Sequence, residues 1–281
     1  EDLKTLVLCA LFFDDAPVLD VALREFRKEC REEILPDGMH FELSPMYHKL
    51  ILEGVIRVAV ALKDRNQADA EIERYLQPML DVAWSFEEGL ERVPLFNDSG
   101  NNVTKSMQAL VMAGEEYFGI RPVYKSEFEN SGFYLFKKDD WKLIVDAGQP
   151  GPSYIPGHAH CDAGSFELFK AGKPVIVNCG TYAYQCKERS TAAHNTVMVN
   201  DTEQSQCWGA FRMAKRAQIH VLDFSPNSIS MEITDYKKNK VKRTIQMGSD
   251  GITLIDVSQG NHLENYFHFN IDIIRIYTNG K

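Results

Sequence analysis

Residues 131–148 read SGFYLFKKDDWKLIVDAG. Two runs rich in aromatic and β-branched side chains flank the polar tetrad Lys137-Lys138-Asp139-Asp140, a pattern that predicts two antiparallel strands joined by a turn. Residues 164–178, GSFELFKAGKPVIVN, repeat the shape around Ala171-Gly172-Lys173. Further candidate strands follow at 194–200 (HNTVMVN), 217–224 (AQIHVLDF), 228–236 (SISMEITDY), 240–247 (KVKRTIQM), 251–258 (GITLIDVS) and 266–277 (YFHFNIDIIRIY). Many short strands separated by turns predict two packed antiparallel sheets, a β-sandwich.

Upstream, the period changes near residue 118. Apolar residues there recur three and four apart: Leu3, Leu6, Leu8, Leu11 and Phe12; Val18, Val21, Leu23 and Phe26; Leu50, Leu52, Val55, Val58 and Leu62; Ile72, Tyr75, Leu76, Met79 and Leu80. That spacing predicts amphipathic helices with these residues on the buried face. Polar or Pro/Gly breaks at 14–17, 35–38, 63–68 and 96–102 are short enough to make antiparallel helical hairpins. The expected fold class is therefore α+β, with helical hairpins over 1–117 and an antiparallel β-sandwich over 118–281.

A chain of 281 residues, 44% hydrophobic, buries enough apolar surface to need no disulfide staples. Its net charge of −9 argues against a general nucleic-acid binder. An anionic substrate stays possible, because a cleft can be locally basic on an acidic protein. No apolar run reaches the roughly eighteen residues of a membrane span. The opening EDLKTLVLCALFFDD has acidic flanks and reads as a buried helix rather than a secretion signal. Cys9 and Cys30 sit in helical patterns and are expected as buried thiols. Cys161 and Cys179 lie beside a histidine-rich region, where a disulfide between them is one alternative.

Three segments carry candidate chemistry. In LPDGMHFELSPMYHKLILEG (35–54), Ser44 is a candidate N-cap with Pro45 at the first helical position, which puts Tyr47 and His48 in the first turn. Free N–H groups and the positive end of the dipole there suit an anionic ligand, and would let a tyrosine yield its proton more readily. The bland alternative is a tyrosine packed between helices. In IPGHAHCDAGSFELF (155–169), His158 and His160 are two apart and share a face on extended chain. With His194 of RSTAAHNTVMVND (189–201) they form a candidate metal or proton-transfer group.

PGHAHCDAGSFELF, VIVNCGTYAY, RSTAAHNTVMVN and EQSQCWGAFR, in that order, resemble the sandwich portion of heparinase II/III family proteins, and PDGMHFELSPMYH resembles the signature of the family's helical part. The resemblance covers nearly the whole chain. It implies an incomplete α/α toroid followed by an antiparallel β-sandwich, with substrate in the cleft between them. It implies a lyase that removes the C5 proton of a uronic acid and expels the 4-linked oxygen of an acidic polysaccharide. By the same resemblance Tyr47 is the acid, and the base for some substrate epimers, and His158 assists it. A structural zinc is implied at His160, position 178 and His194. Asn178 stands where the family has an aspartate, so Cys179 or Asp162 takes the third place, or the site is vacant.

The family's charge-neutralising asparagine precedes the segment that resembles EDLKTLVLCALFF, so the chain is expected to be a fragment, shortened at its start and its end. Glu42 and Gln108 line the cleft or serve structure. Arg189 pairs with a substrate carboxylate or braces its loop. Trp208 and Tyr182 stack on sugar rings or pack in the core. A periplasmic or secreted location is what the family implies. Two other readings are a zinc hydrolase built on the three histidines, and a non-catalytic polysaccharide-binding or capsule-assembly protein.

Overall fold

The computed structural model describes residues 1–184 and 186–270. Helices come first: α1 (Asp2–Phe12), α2 (Ala16–Glu33), α3 (Pro45–Asp64), the single turn α4 (Ala70–Glu73), α5 (Leu76–Glu87) and α6 (Met107–Phe118). Among the described residues eleven strands follow: β1 (Glu127–Phe128), β2 (Phe133–Lys138), β3 (Trp141–Asp146), β4 (Phe166–Lys170), β5 (Lys173–Ile176), β6 (Val197–Val199), β7 (Gln218–Ser225), β8 (Ser228–Thr234), β9 (Lys240–Met247), β10 (Ile252–Val257) and β11 (Leu263–Asn265). The helical region followed by antiparallel sheets is the architecture expected from the two periods.

Both strand pairs read from the opening stretches are present. The five-stranded sheet runs β1-β2-β3-β4-β5 and a second sheet runs β10-β9-β8-β7, all antiparallel, with β11-β6 as a two-stranded sheet beside them. Strand β1 was not foreseen. Of the stretch 266–277, the described part adds a single bridge, Phe269 to Ile176, and the rest lies outside the described residues.

Why Phe133-Tyr134-Leu135-Phe136 is apolar at every position follows from its place in the layers. Alternate residues of a strand face opposite ways. Tyr134 and Phe136, with Leu143 and Val145 of β3, pack on Ile219, Ile229, Met231, Ile233 and Ile245 of the second sheet. Phe133 and Leu135, with Ile144, pack on Met39, Leu43, Val82, Phe86 and Phe96 of the helical region. A sheet covered on both faces loses the apolar/polar alternation. Strand β9, covered on one face, keeps it: Val241, Arg243, Ile245 and Met247 are buried and the residues between them are more open.

The helical core joins α1 to α6 around Val7, Phe26, Leu52, Val55, Leu62, Ile72, Leu76, Leu80 and Leu110. Two expected faces need correction. Helix α1 buries Val7, Ala10 and Leu11, leaving Leu6 and Phe12 exposed. Helix α2 buries Ala22, Phe26 and Cys30 while Val21 is exposed. The period was right and the phase was off, because apolar residues there occupy more of the circumference than the neighbours cover. Cys9 is likewise exposed rather than buried, whereas Cys30 is buried as expected.

Candidate active site

Ser44 caps α3 as the sequence predicts, with Pro45 in the first turn. Its Oγ accepts the Tyr47 N–H at 3.3 Å, donates to the Asp98 carbonyl at 3.0 Å and meets Ser99 Oγ at 2.8 Å. Ser99 Oγ in turn accepts the Met46 N–H at 3.3 Å. The expectation of free N–H groups for an anion is therefore corrected: the first donors of α3 are already satisfied by two buried serines. His48 is buried and structural, its Nδ1 accepting the His40 N–H at 3.2 Å and its Nε2 facing the Met79 carbonyl at 2.9 Å. Burial pushes its imidazole down to about 3, so it is neutral at ordinary pH.

Tyr47 is half-buried. Its hydroxyl lies 3.2 Å from that of Tyr184, and its ring centroid is 4.3 Å from that of His158. Burial, then the contact with Tyr184, raises the phenol above its ordinary value. That direction runs opposite to an easily lost proton and favours a phenol that keeps its O–H. Tyr184 adopts a positive φ of 55°, which for a bulky side chain is a strained conformation of the kind that clusters at functional sites.

The residue that organises the group is Asp98, in the segment 96–102 read as a mere break between helices. Asn97 and Asp98 grip the segment 158–160 through its backbone: the Asp98 N–H donates to the His158 carbonyl at 3.2 Å, and the His160 N–H donates to Asn97 Oδ1 at 3.0 Å. The Asp98 carboxylate then accepts three charge-bearing or polar donors. His158 Nδ1 is 3.0 Å from Oδ2, His160 Nε2 is 2.8 Å from Oδ1, and Arg189 Nη2 is 2.5 Å from Oδ2. Burial alone would raise this carboxyl, but the two histidines and Arg189 outweigh it and hold it at about 2. Asp98 is ionised, and both histidines present an N–H to it.

The two histidines thus converge as their spacing predicts, but into different surroundings. His158 is partly exposed, with its Nε2 3.7 Å from Glu42 Oε1 and its ring 5.8 Å from Phe211. His160 is fully buried, and its Nδ1 lies 3.1 Å from Nε2 of the equally buried His194. Two ring nitrogens at that distance share a proton or a cation. Cys179 completes a group with His160 and His194 whose ligand atoms lie within 4.8 Å of one another, so these three side chains could hold a metal.

Asn178 is buried beside them, and its Oδ1 accepts from Ser165 Oγ at 3.0 Å and from Asn195 Nδ2 at 3.3 Å. That oxygen is occupied by protein donors, which leaves Cys179, one of the two alternatives from the sequence, as the third side chain of the group. Asp162, the other, is buried near His160, and its carboxyl is raised by burial.

Arg189 is fully buried under the Phe211 ring, 5.1 Å from guanidinium carbon to centroid. Of the two roles weighed for it, the geometry matches bracing, since its Nη2 is spent on Asp98. Gly180, at φ 57°, lets the chain pass Ser99, where the Thr181 N–H donates to the Ser99 carbonyl at 2.9 Å; a Cβ at 180 would sit 2.2 Å from that oxygen. Trp208 is 63% exposed and Tyr182 is 95% exposed, so neither packs in the core. Gln108 is exposed on α6.

The sequence reading missed Asp98, Tyr184 and Phe211. Only FNDSGNN, an Asp among small loop residues (96–102), offered a sign of the first. The Cys161–Cys179 disulfide, one alternative from the sequence, is not the pair that the fold brings together. Cys179 Sγ faces the carbonyls of Gly180 and Glu188, whereas Cys161 Sγ lies 3.6 Å from that of Cys207.

Comparison with known proteins places this geometry in context. The family model described as "Heparinase II/III N-terminus" matches residues 15–125, and that described as "Heparinase II/III-like, C-terminal" matches residues 121–276. A heparin-sulfate lyase of Pedobacter heparinus is 26% identical over 205 residues, covering 62% of this chain and 30% of that protein. A heparin-sulfate lyase of Bacteroides stercoris is 26% identical over 213 residues, covering 64% and 31%. The chain thus spans about a third of the length of these relatives. Among solved structures, the heparinase III-BT4657 gene product superposes with a TM-score of 0.74 at 19% identity, over 90% of this chain and 44% of that one. The heparan sulfate lyase HepC from Pedobacter heparinus superposes with a TM-score of 0.66 at 20% identity, again over 90% and 44%.

Proposed function

This chain belongs to the heparinase II/III family, and on that footing we propose that it carries the acid/base pair of a polysaccharide lyase acting on a uronic-acid polymer by β-elimination. The observation that carries the reading is the contacting pair Tyr47 and His158, ring centroids 4.3 Å apart and tilted by 58°, the histidine fixed by an ionised Asp98 and the tyrosine held protonated.

The chemistry follows from those states. The Asp98 carboxylate accepts the Nδ1 proton of His158, which fixes the tautomer and leaves Nε2 as the lone pair. That nitrogen is the group suited to taking the weakly acidic C5 proton. Tyr47, with its proton retained by burial, is suited to giving it to the departing 4-linked oxygen. An elimination needs both proton transfers in one site and no attacking water. Tyr184, 3.2 Å from the Tyr47 oxygen, orients that hydroxyl. Exposed Trp208 and Tyr182 suit stacking on sugar rings, and Glu42 sits at the mouth beside His158. The names of the relatives favour heparan sulfate or a similar glycosaminoglycan as the substrate class.

His160, His194 and Cys179 supply two imidazoles and a thiol, a donor set that suits zinc, and Asp98 is the carboxylate that orients the His160 ring. A zinc there would fasten segments 158–160, 178–180 and 189–194 together. Both imidazoles are wholly buried, which favours anchoring over the water activation a hydrolase requires.

The test uses the full-length protein that contains this chain, a panel of uronic-acid polysaccharides, and the ultraviolet absorbance of the unsaturated uronate product. Absorbance that rises with the wild type and is lost with Tyr47→Phe is the expected result. Saccharide binding with no unsaturated product on any member of the panel would overturn the reading in favour of a non-catalytic binder.

A further inference from the structure

Cys161 directly follows the buried His160, and Cys207 opens the hairpin that ends at Met213, to which it is bridged. Their Sγ atoms are 3.6 Å apart, about 1.5 Å beyond the ~2.05 Å of a disulfide. Cys161 is buried, with its thiol also reaching the Ser205 carbonyl at 3.3 Å, while Cys207 is half-exposed at the rim. The pair therefore has an entry point for a reagent from solvent and an interior partner to resolve it.

What the pair would fasten gives it consequence. The hairpin is held by backbone bonds from Trp208 N–H to the Arg212 carbonyl and from Ala214 N–H to the Gln206 carbonyl, each 2.8 Å. Its tip carries Phe211, whose ring lies 5.8 Å from His158, 5.3 Å from Tyr184 and 5.1 Å from the Arg189 guanidinium. The hairpin thus brings an aromatic ring against His158 and Tyr184, and its root touches the histidine segment through two sulfurs.

We propose that Cys161 and Cys207 form a reversible disulfide that locks this aromatic hairpin to the histidine segment. The inference rests on the placement of the two thiols and stands whether or not the lyase reading holds.

The reaction is a thiol–disulfide exchange with a low-molecular-weight disulfide such as oxidised glutathione. Cys207 loses its proton and attacks one glutathione sulfur; the glutathione S–S bond breaks and one glutathione leaves. Cys161 loses its proton and attacks the Cys207 sulfur of the mixed disulfide, expelling the second glutathione. Two protein thiols are oxidised, one glutathione disulfide is reduced to two thiols, and the two protons end on the released glutathiones.

The test treats the purified full chain with oxidised glutathione and maps its peptides by mass spectrometry without reduction. The expected product is a linked pair of peptides containing Cys161 and Cys207, an intact mass lower by two hydrogens, and reversal by dithiothreitol. Closing so long a loop should raise the melting temperature by roughly 5 °C or more. Cys207→Ser should abolish both the link and the rise, and Cys161→Ala should leave glutathione stranded on Cys207. Should the buried Cys161→Ala variant fail to fold, Cys207→Ser and the wild-type peptide map decide alone. A persistent glutathione adduct on wild-type Cys207, a link from Cys207 to Cys179 or Cys186, or no link at all would overturn the proposal.

Discussion

Two arms leave the carboxylate of Asp98 and end in opposite environments. On Oδ1, His160 leads to the equally buried His194, with Cys179 closing the group from the exposed side; on Oδ2, His158 leads to Tyr47 and a partly open face. The two histidines are two residues apart and bond the same acid at nearly the same distance, 2.8 and 3.0 Å. Residue type and first partner therefore do not separate an anchoring histidine from a proton-transferring one. Solvent access and the next residue along do. A ring nitrogen facing another buried imidazole has no route to substrate, whereas one beside a half-buried phenol and the rim does.

The sharpest way to break this comparison is to remove what the arms share. Asp98→Ala strands a buried guanidinium and a buried imidazole, and breaking such a site costs about 3–5 kcal/mol, to be measured by chemical denaturation; elimination activity should vanish with it. A loss under about 1 kcal/mol would mean that the arms do not depend on one hub. Tyr47→Phe acts on the open arm only. It should lower elimination roughly 10²–10⁴-fold, with denaturation showing a stability change within about 1 kcal/mol. His194→Ala acts on the sealed arm and should reverse that pattern. Bound metal, read by elemental analysis, should drop toward zero and stability should fall by about 2–3 kcal/mol, while Tyr47 and His158 stay in place.

Acid offers a test without mutation. Asp98 is held at about 2 against an ordinary 3.8, so the unfolded chain binds its proton first as pH falls. Its contribution, about 2 kcal/mol, is fully present above about pH 4 and is lost as pH drops toward 2. His48 adds an earlier loss. Held at about 3 against an ordinary 6.5, it stays neutral in the fold while the unfolded chain protonates, so stability should begin to fall below about pH 6.5. Denaturation curves across that range should show both slopes, and Asp98→Asn should remove the lower one. The smallest effect belongs to the cap: Ser44→Ala should cost about 1–2 kcal/mol, measured the same way.

Much of the architecture was legible in the sequence. Phe133–Phe136 and Leu143–Val145 announce strands by composition, and Lys137–Asp140 announces their turn. Ser44 and Pro45 announce the start of α3 because capping is satisfied within three residues. The phase of α1 and α2 was not legible. Leu6, Phe12 and Val21 are as apolar as Val7 and Phe26, and only the packing neighbours choose between them.

In the candidate site, Tyr47, His158, His160 and His194 were named from motif and spacing, and the structure brings them to one place. Asp98 was passed over because its partners His158 and Arg189 lie 60 and 91 residues further along the chain. Phe211 and Tyr184 were missed for the same reason, and the meeting of Cys161 with Cys207 was not foreseen. By itself the sequence determined the elements, their order and the family, because helical and strand periods and end caps are set by contacts within a few residues. Only the tertiary structure decided which acid holds the two histidines, which of them is sealed, and which thiols meet, because those outcomes depend on segments that no local rule connects.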